Sequence, residues 1–212
     1  MLREIEKYKI EDFSGRYKRH FEEWRLLEEM YQNSDYISGF TIRSRHPETK
    51  LPEKYEITFN VESIIGIDPP VDPSHPNEPE KENLILGSKH KLTIELPPNY
   101  PDGYPIFKFI TPVWHPQIVF HGKQKGDIDI DIELKNPSKT PLTDYISTIW
   151  QYLDYQICLP LIEYPFPEDI IVAEWIRERT KYHPWLLAKA IKYGWIKYIE
   201  ESEINRYKIN KS

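Results

Sequence analysis

The sequence predicts an α+β domain in which a helix precedes a four-stranded antiparallel meander, and further helices follow the sheet. Three observations support this fold class. Apolar residues recur at spacings of three and four over residues 16–32, four β-rich segments fall within 36–111, and helical spacing returns over 142–201. Because helices and strands are segregated along the chain, an α+β architecture with a central helix crossing the sheet is favoured.

The predicted strands are bounded by turn-forming residues. The segments 36–45 and 54–65 flank a proline-containing turn and indicate a hairpin. Alternating residues over 84–96 and a short run at 106–110 supply the third and fourth strands. Prolines and acidic residues fill the stretch 68–83, which predicts a long surface loop, with a polyproline-type ligand as the alternative.

Three helices are predicted after the strands. They cover about residues 142–157, 167–182 and 184–201, with Thr143 as the N-cap of the first and Pro184 in the first turn of the last. The last helix has more apolar surface than a solvated appendage needs, so it either caps the core or forms an interface.

Length and composition limit the domain organisation and the class of partner. The 212 residues predict one domain over 16–200, with an N-terminal extension over 1–15 and a tail over 202–212. A net charge of -6 argues against nucleic acid and favours a protein partner. One cysteine excludes an intrachain disulfide and suits a reducing compartment, so we expect a cytoplasmic protein. We expect neither a signal peptide nor a membrane span.

Three motifs lie between the third strand and the helix of 142–157. Residues 100–105 read Tyr-Pro-Asp-Gly-Tyr-Pro, residues 115–117 read His-Pro-Gln, and residues 126–131 read Gly-Asp-Ile-Asp-Ile-Asp. In this order and spacing they resemble the core of ubiquitin-conjugating enzymes, and the resemblance covers roughly residues 16–200. It implies that family's fold and a raised chance of a cis bond at Tyr104-Pro105.

The resemblance also shows where this chain departs from the family. The motif alignment places Asp129 where the family carries its thioester-forming cysteine, and Gln117 where it carries an asparagine near the reacting carbonyl. A carboxylate cannot replace the thiolate, because an acyl-aspartate is a mixed anhydride, open to hydrolysis and uphill from a thioester. Gln117 keeps an amide but displaces it, which puts its function in doubt. The resemblance therefore implies a catalytically inactive variant with a degenerate site.

The acidic run has two further interpretations. Asp127, Asp129 and Asp131 alternate with isoleucines, so in an extended segment the carboxylates share one face, a solvent-facing acidic edge. A calcium loop also begins with aspartates at this spacing, but Ile132 and Ser138 stand where that loop needs glycine and glutamate. We therefore expect no metal and no cofactor.

His115 and Cys158 are candidates for structural or chemical roles. In the motif His115-Pro116, a structural histidine whose ring nitrogens bond backbone is favoured over a catalytic or metal-binding one. Cys158, the single thiol, is expected to be a small core residue. The alternative is a relocated nucleophile, although no nearby histidine or cation argues for a lowered thiol pKa.

These residues predict a non-catalytic ubiquitin-conjugating-enzyme variant that acts as a protein-binding adaptor or cofactor. The resemblance leaves three partner classes open: a ubiquitin-like protein, an active conjugating enzyme, or an assembly subunit. Two functional alternatives remain, an active conjugating enzyme that uses Cys158 and a structural subunit that uses the fold only for assembly.

Overall fold

The computed structural model describes residues 2–72, 78–128, 130, 136–160 and 167–199, and its element order has the predicted α+β class. The helices are α1 (Leu2–Ile5), α2 (Arg16–Asn33), α3 (Leu142–Leu153), α4 (Ile170–Arg179) and α5 (Pro184–Tyr193). The strands are β1 (Ile37–Arg45), β2 (Pro52–Asp68), β3 (Asn83–Glu95) and β4 (Ile106–Phe109). None of the helices in this described part of the chain combines the length and the apolar composition that a bilayer crossing needs.

The strands form one antiparallel sheet in the order β1-β2-β3-β4, which confirms the predicted meander. Phe40 pairs with Ile57 in the first hairpin, and Leu92 pairs with Phe109 in the last. On β3, buried His90 and Leu92 alternate with exposed Lys91, as expected for a strand with one face on a core. β2 ends at Asp68 and β3 begins at Asn83, so the proline-rich stretch lies between the two strands.

The described chain divides into two compact units. Unit 1 comprises residues 1–61, 89–111 and 130–150, and unit 2 comprises 62–88, 112–129 and 151–212. The single domain over 16–200 therefore stays a prediction.

Unit 1 is built on α2 and the sheet. Trp24 and Leu27 of α2 are buried, and the rings of Phe40 and Tyr55 on β1 and β2 lie 5.7 Å apart. The ring of Tyr145 on α3 lies 5.3 Å from that of Phe107 on β4. This contact places α3 against the sheet, as predicted for the central helix.

Residues before α2 also pack in unit 1. The Phe13 ring stacks on Phe21 at 5.3 Å, and Tyr8 meets Trp24 edge-on at 5.9 Å. The predicted N-terminal extension thus contributes aromatic contacts to α2, which adds apolar burial to this end of the unit.

Unit 2 has its own apolar core. Twelve residues form it, and nine of them follow α3 in sequence. They are Ile64, Ile67, Trp114, Tyr155, Cys158, Val172, Trp175, Ile176, Leu186, Ala190, Trp195 and Ile199. The final helical segments therefore cap a core, which is one of the two roles expected from their apolar surface.

Helix ends differ from the predicted ones for identifiable reasons. α3 begins at Leu142, so Thr143 lies inside the first turn and is not the N-cap. The Leu142 N–H instead donates to a carboxylate oxygen of Glu23 on α2, at 2.8 Å. α5 stops at Tyr193 because Gly194 adopts a left-handed conformation with φ of 78°, which ends the helix predicted to reach residue 201.

The cis-proline prediction was wrong in its position. Tyr104-Pro105 is not among the cis peptide bonds of the described residues, whereas Tyr100-Pro101 and Asp68-Pro69 are. The cis bond of the motif lies at its first proline, four residues before the predicted one.

Candidate functional site

The residues of the His-Pro-Gln motif form a buried turn in unit 2. The Nε2–H of His115 donates to the Ile157 carbonyl at 2.9 Å, and Nδ1 accepts from the Gln117 N–H at 3.2 Å. The ring also stacks on Tyr152 at 5.1 Å. Burial lowers the pKa of His115 to about 3, so the imidazole is neutral near pH 7. Both ring nitrogens bond backbone, the arrangement expected of a structural histidine.

Gln117 also uses its side chain inside the fold. It is 3% exposed, and its amide nitrogen donates to the Leu159 carbonyl at 3.3 Å. The amide oxygen is buried without a hydrogen-bond partner in the described part of the chain. One N–H of this amide therefore serves the Leu159 backbone.

Cys158 lies between the two backbone carbonyls that His115 and Gln117 hold. Its thiol is 1% exposed and belongs to the core of unit 2. Burial raises the pKa of the Cys158 thiol well above its ordinary value. A thiolate is the reactive form of cysteine, so this environment opposes nucleophilic chemistry.

The chain after the motif forms a hairpin-like loop that leads to the acidic run. Ile118 and Ile128 make an isolated antiparallel bridge, and the Val119 N–H donates to the Asp127 carbonyl at 2.9 Å. Gly126 closes the loop with a φ of 92° and donates its N–H to the Val119 carbonyl at 2.7 Å. Asp127 is thus half-buried at the base of this loop.

The other two aspartates of the acidic run, Asp129 and Asp131, lie outside the described residues. The shared acidic face and the placing of Asp129 at the nucleophile position therefore stay predictions. Ile130, between them in sequence, is buried. Within the described ranges, no group of three or more histidine, cysteine or acidic residues could hold a metal ion.

Asp169 fixes the loop to α4 and is absent from the residues singled out by the sequence. One carboxylate oxygen accepts from the backbone N–H of Phe120 at 2.9 Å and of His121 at 3.0 Å, and contacts His121 Nδ1 at 2.8 Å. The other accepts from the Val172 N–H at 3.2 Å as the N-cap of α4. Its position before an apolar helical run was a capping signal, but the long-range contacts leave no local pattern.

The site as described is a closed hydrogen-bonded arrangement. A neutral imidazole and a buried amide hold the backbone on both sides of a buried thiol, and a buried carboxylate anchors the adjacent loop. These groups position backbone. His115, Gln117 and Cys158, the described residues that were candidates for enzyme chemistry, are all almost completely buried.

Comparisons with known proteins agree with this fold. No protein-family model matches the chain. It is 31% identical over 117 residues to ubiquitin-conjugating enzyme E2 21 of Caenorhabditis elegans, a match that covers 55% of this chain and 49% of the relative. It is 26% identical over 118 residues to ubiquitin-conjugating enzyme E2 5 of Arabidopsis thaliana, covering 54% of this chain and 58% of the relative. The chain thus matches about half the length of these curated relatives.

A solved structure gives the fold directly. The crystal structure of a candidate ubiquitin conjugating enzyme from Plasmodium yoelii superposes with a TM-score of 0.50 at 20% identity, covering 84% of this chain and 93% of that one. The chain therefore has the α+β fold of ubiquitin-conjugating enzymes, and the curated relatives named here are themselves ubiquitin-conjugating enzymes.

Proposed function

We propose that this chain is a non-catalytic ubiquitin-conjugating-enzyme variant that acts as a protein-binding adaptor or cofactor in the cytoplasm. Its partner is a ubiquitin-like protein, an active conjugating enzyme or an assembly subunit. The observation that carries the proposal is the burial of Cys158, the single cysteine of the 212 residues, at 1% exposure.

Thioester transfer needs a thiolate that can meet another protein's thioester. The two acyl carriers exchange through a tetrahedral intermediate, which requires the attacking sulfur to reach the carbonyl carbon. The Cys158 sulfur lies in a core with Trp114 and Tyr155, and its raised pKa keeps it protonated. To react, the thiol would need both to leave this core and to lose its proton.

The motif residues support the same conclusion. In the proposed assignment Asp129 stands at the nucleophile position, where a carboxylate forms no stable acyl intermediate. One N–H of the buried Gln117 amide donates to the Leu159 carbonyl. A domain that keeps the fold without these catalytic functions can still recognise a protein partner through its surface.

A thioester assay tests the proposal. The wild-type protein and Cys158→Ala are incubated with a ubiquitin-activating enzyme, ATP and ubiquitin, and gels run with and without reductant are compared. We expect no adduct with either protein. A reductant-sensitive adduct that disappears in Cys158→Ala would show instead a conjugating enzyme that uses Cys158.

The accessibility of the thiol gives an independent measurement. The native protein is treated with an aromatic disulfide reagent, and the release of the coloured thiolate is followed with and without denaturant. We expect one thiol per chain to react in denaturant and the native protein to react only as fast as its core opens. Immediate reaction of the native protein would contradict the burial on which the proposal depends.

A further inference from the structure

A buried histidine occupies the junction between α4 and α5, outside the site described above. His183 is the N-cap residue of α5 and follows the short 3-10 turn Thr180–Tyr182. It is 7% exposed, and its ring stacks on that of Trp175 in α4 at 5.2 Å. Its Nε2 is buried and has no hydrogen-bond partner in the described part of the chain. The imidazole therefore packs at the start of α5 as an apolar ring would.

The charged groups around this ring oppose a positive charge on it. Burial and the Arg179 guanidinium of α4 lower the pKa of His183 below its ordinary value. Glu82, buried just before β3, lies 3.4 Å from Arg179, so its carboxylate is already paired with that cation. In the 3-10 turn, the ammonium group of Lys181 lies over the ring of Tyr182 at 5.5 Å and adds a second cation.

The helix end acts in the same direction. The aligned peptide dipoles of α5 place a partial positive charge at its N-terminus, where His183 lies. Among the described residues, the His183 side chain accepts no capping hydrogen bond from the first turn of α5. An imidazolium at this position would meet a positive helix end and a nearby arginine with little solvent to screen them. The first turn of α5 therefore packs best while His183 is neutral.

α5 covers part of the core of unit 2. Leu186 and Ala190 are fully buried in that core, and Lys189 contacts Asp154 further along the helix. These contacts hold the middle of α5, whereas the stacked ring of His183 holds its beginning. If α5 opens, the apolar side chains on its inner side and the core residues beneath them meet water.

We propose that His183 couples the docking of α5 to pH, so that α5 opens from the core of unit 2 more readily in acid. Above about pH 6.5 a histidine is neutral whether α5 is docked or open, so pH has no effect on the equilibrium. Below that value, the open state binds a proton more readily than the docked state. The opening equilibrium then rises by up to about tenfold per pH unit until the docked ring is protonated as well. This conformational device does not depend on the adaptor function proposed above.

Hydrogen exchange read by mass spectrometry measures the opening of α5 in the full chain. Exchange rates at about pH 7.5 and about pH 5.5 are divided by those of the unfolded chain at the same pH, which removes the chemical pH dependence of exchange. We expect the opening equilibrium of residues 185–193 to rise at least about threefold in acid. An opening equilibrium that does not change with pH would overturn the proposal.

Two histidine variants assign the response to one ring. His183→Asn removes the titrating group and keeps a residue that caps helices well, so its opening equilibrium should be nearly the same at both pH values. The matched control His46→Asn makes the same substitution at a half-buried histidine of unit 1 and should keep the wild-type response. A response that persists in His183→Asn, or that His46→Asn abolishes equally, would assign the pH dependence to another group and refute the proposal.

The same data separate local opening from global unfolding. His115, whose pKa burial lowers to about 3, affects the stability of the whole fold in acid. His115→Gln should therefore retain the response of α5. If exchange in α2, β3 and α5 of the wild-type protein rises by the same factor, the chain opens as a whole and His183 does not control α5.

Discussion

Acidification should destabilise this protein through His115. The imidazole is buried, neutral and bonded to backbone on both nitrogens, and its pKa is lowered to about 3. In the unfolded chain a histidine has a pKa of about 6.5. As the pH falls below that value, His115 binds a proton in the unfolded state but stays neutral in the folded state. The free energy of unfolding then decreases by about 1.4 kcal/mol per pH unit until the folded pKa is reached.

The magnitude follows from these two values. Between about pH 7 and about pH 5, His115 should remove about 2 kcal/mol from the free energy of unfolding. His20, whose pKa burial lowers to about 4, adds a similar loss over the same interval. A variant that lacks only one of the two titrating groups is therefore needed to separate them.

Urea denaturation of wild type and His115→Gln at several pH values makes that separation. The variant is less stable at neutral pH because it loses the ring packing and one of the backbone bonds, but it keeps the His20 contribution. We expect the stability difference between the two proteins to shrink by about 2 kcal/mol from about pH 7 to about pH 5. A difference that stays constant over this interval would show that His115 is protonated as easily in the folded state as in the unfolded one.

Three other substitutions test the buried carboxylates and the acidic run. Glu23→Gln should lower the free energy of unfolding by about 3 kcal/mol, because it leaves the Arg19 charge, 2.6 Å away, partly buried and uncompensated. Glu29→Gln, at an exposed ion pair on the same helix, should lower it by less than about 0.5 kcal/mol. Thermal unfolding compares the two variants, and equal shifts of the midpoint would contradict the assignment. Asp169→Ala should lower the free energy of unfolding by about 3 kcal/mol, because the N-cap of α4 and the bonds to the loop are lost. An unchanged midpoint of urea denaturation would show that these bonds do not stabilise the loop. Replacing the three aspartates of 127–131 with asparagine should change stability by at most about 0.5 kcal/mol per site and slow association with a basic partner; unfolding of the triple variant would mean that these side chains are structural.

Local sequence patterns predicted the elements of this fold because those elements depend on local rules. The period of three to four in α2 and the alternation in β3 are fixed by which face meets a core, and both predicted segments match the structure to within one residue at each end. The predicted last helix ran past Gly194 to residue 201, following the apolar residues beyond the glycine. The αL conformation shows that the glycine decides the end of α5.

The contacts that organise the site were not predictable in this way. The cap of α3 comes from Glu23, and the loop after the His-Pro-Gln motif is tied to Asp169, 48 and 49 residues away. Spacing and composition mark neither Glu23 as the cap of α3 nor Asp169 as the anchor of the loop, since any buried carboxylate near an open N–H could serve. The closed environment of Cys158 likewise depends on which residues fold over it. The His-Pro-Gln motif identified the turn from the sequence, but the hydrogen-bond partners of its side chains are known only from the folded structure.

The bond between Leu142 and Glu23 has a consequence for the kinetics of folding. It joins residues 119 apart in sequence, so a very long segment must be ordered before the bond can form. Because closing so long a loop costs entropy, we expect this contact to form late in folding, and interactions absent from the transition state control the rate of unfolding. The lifetime of the native chain, more than the speed with which it is reached, should therefore depend on this one carboxylate.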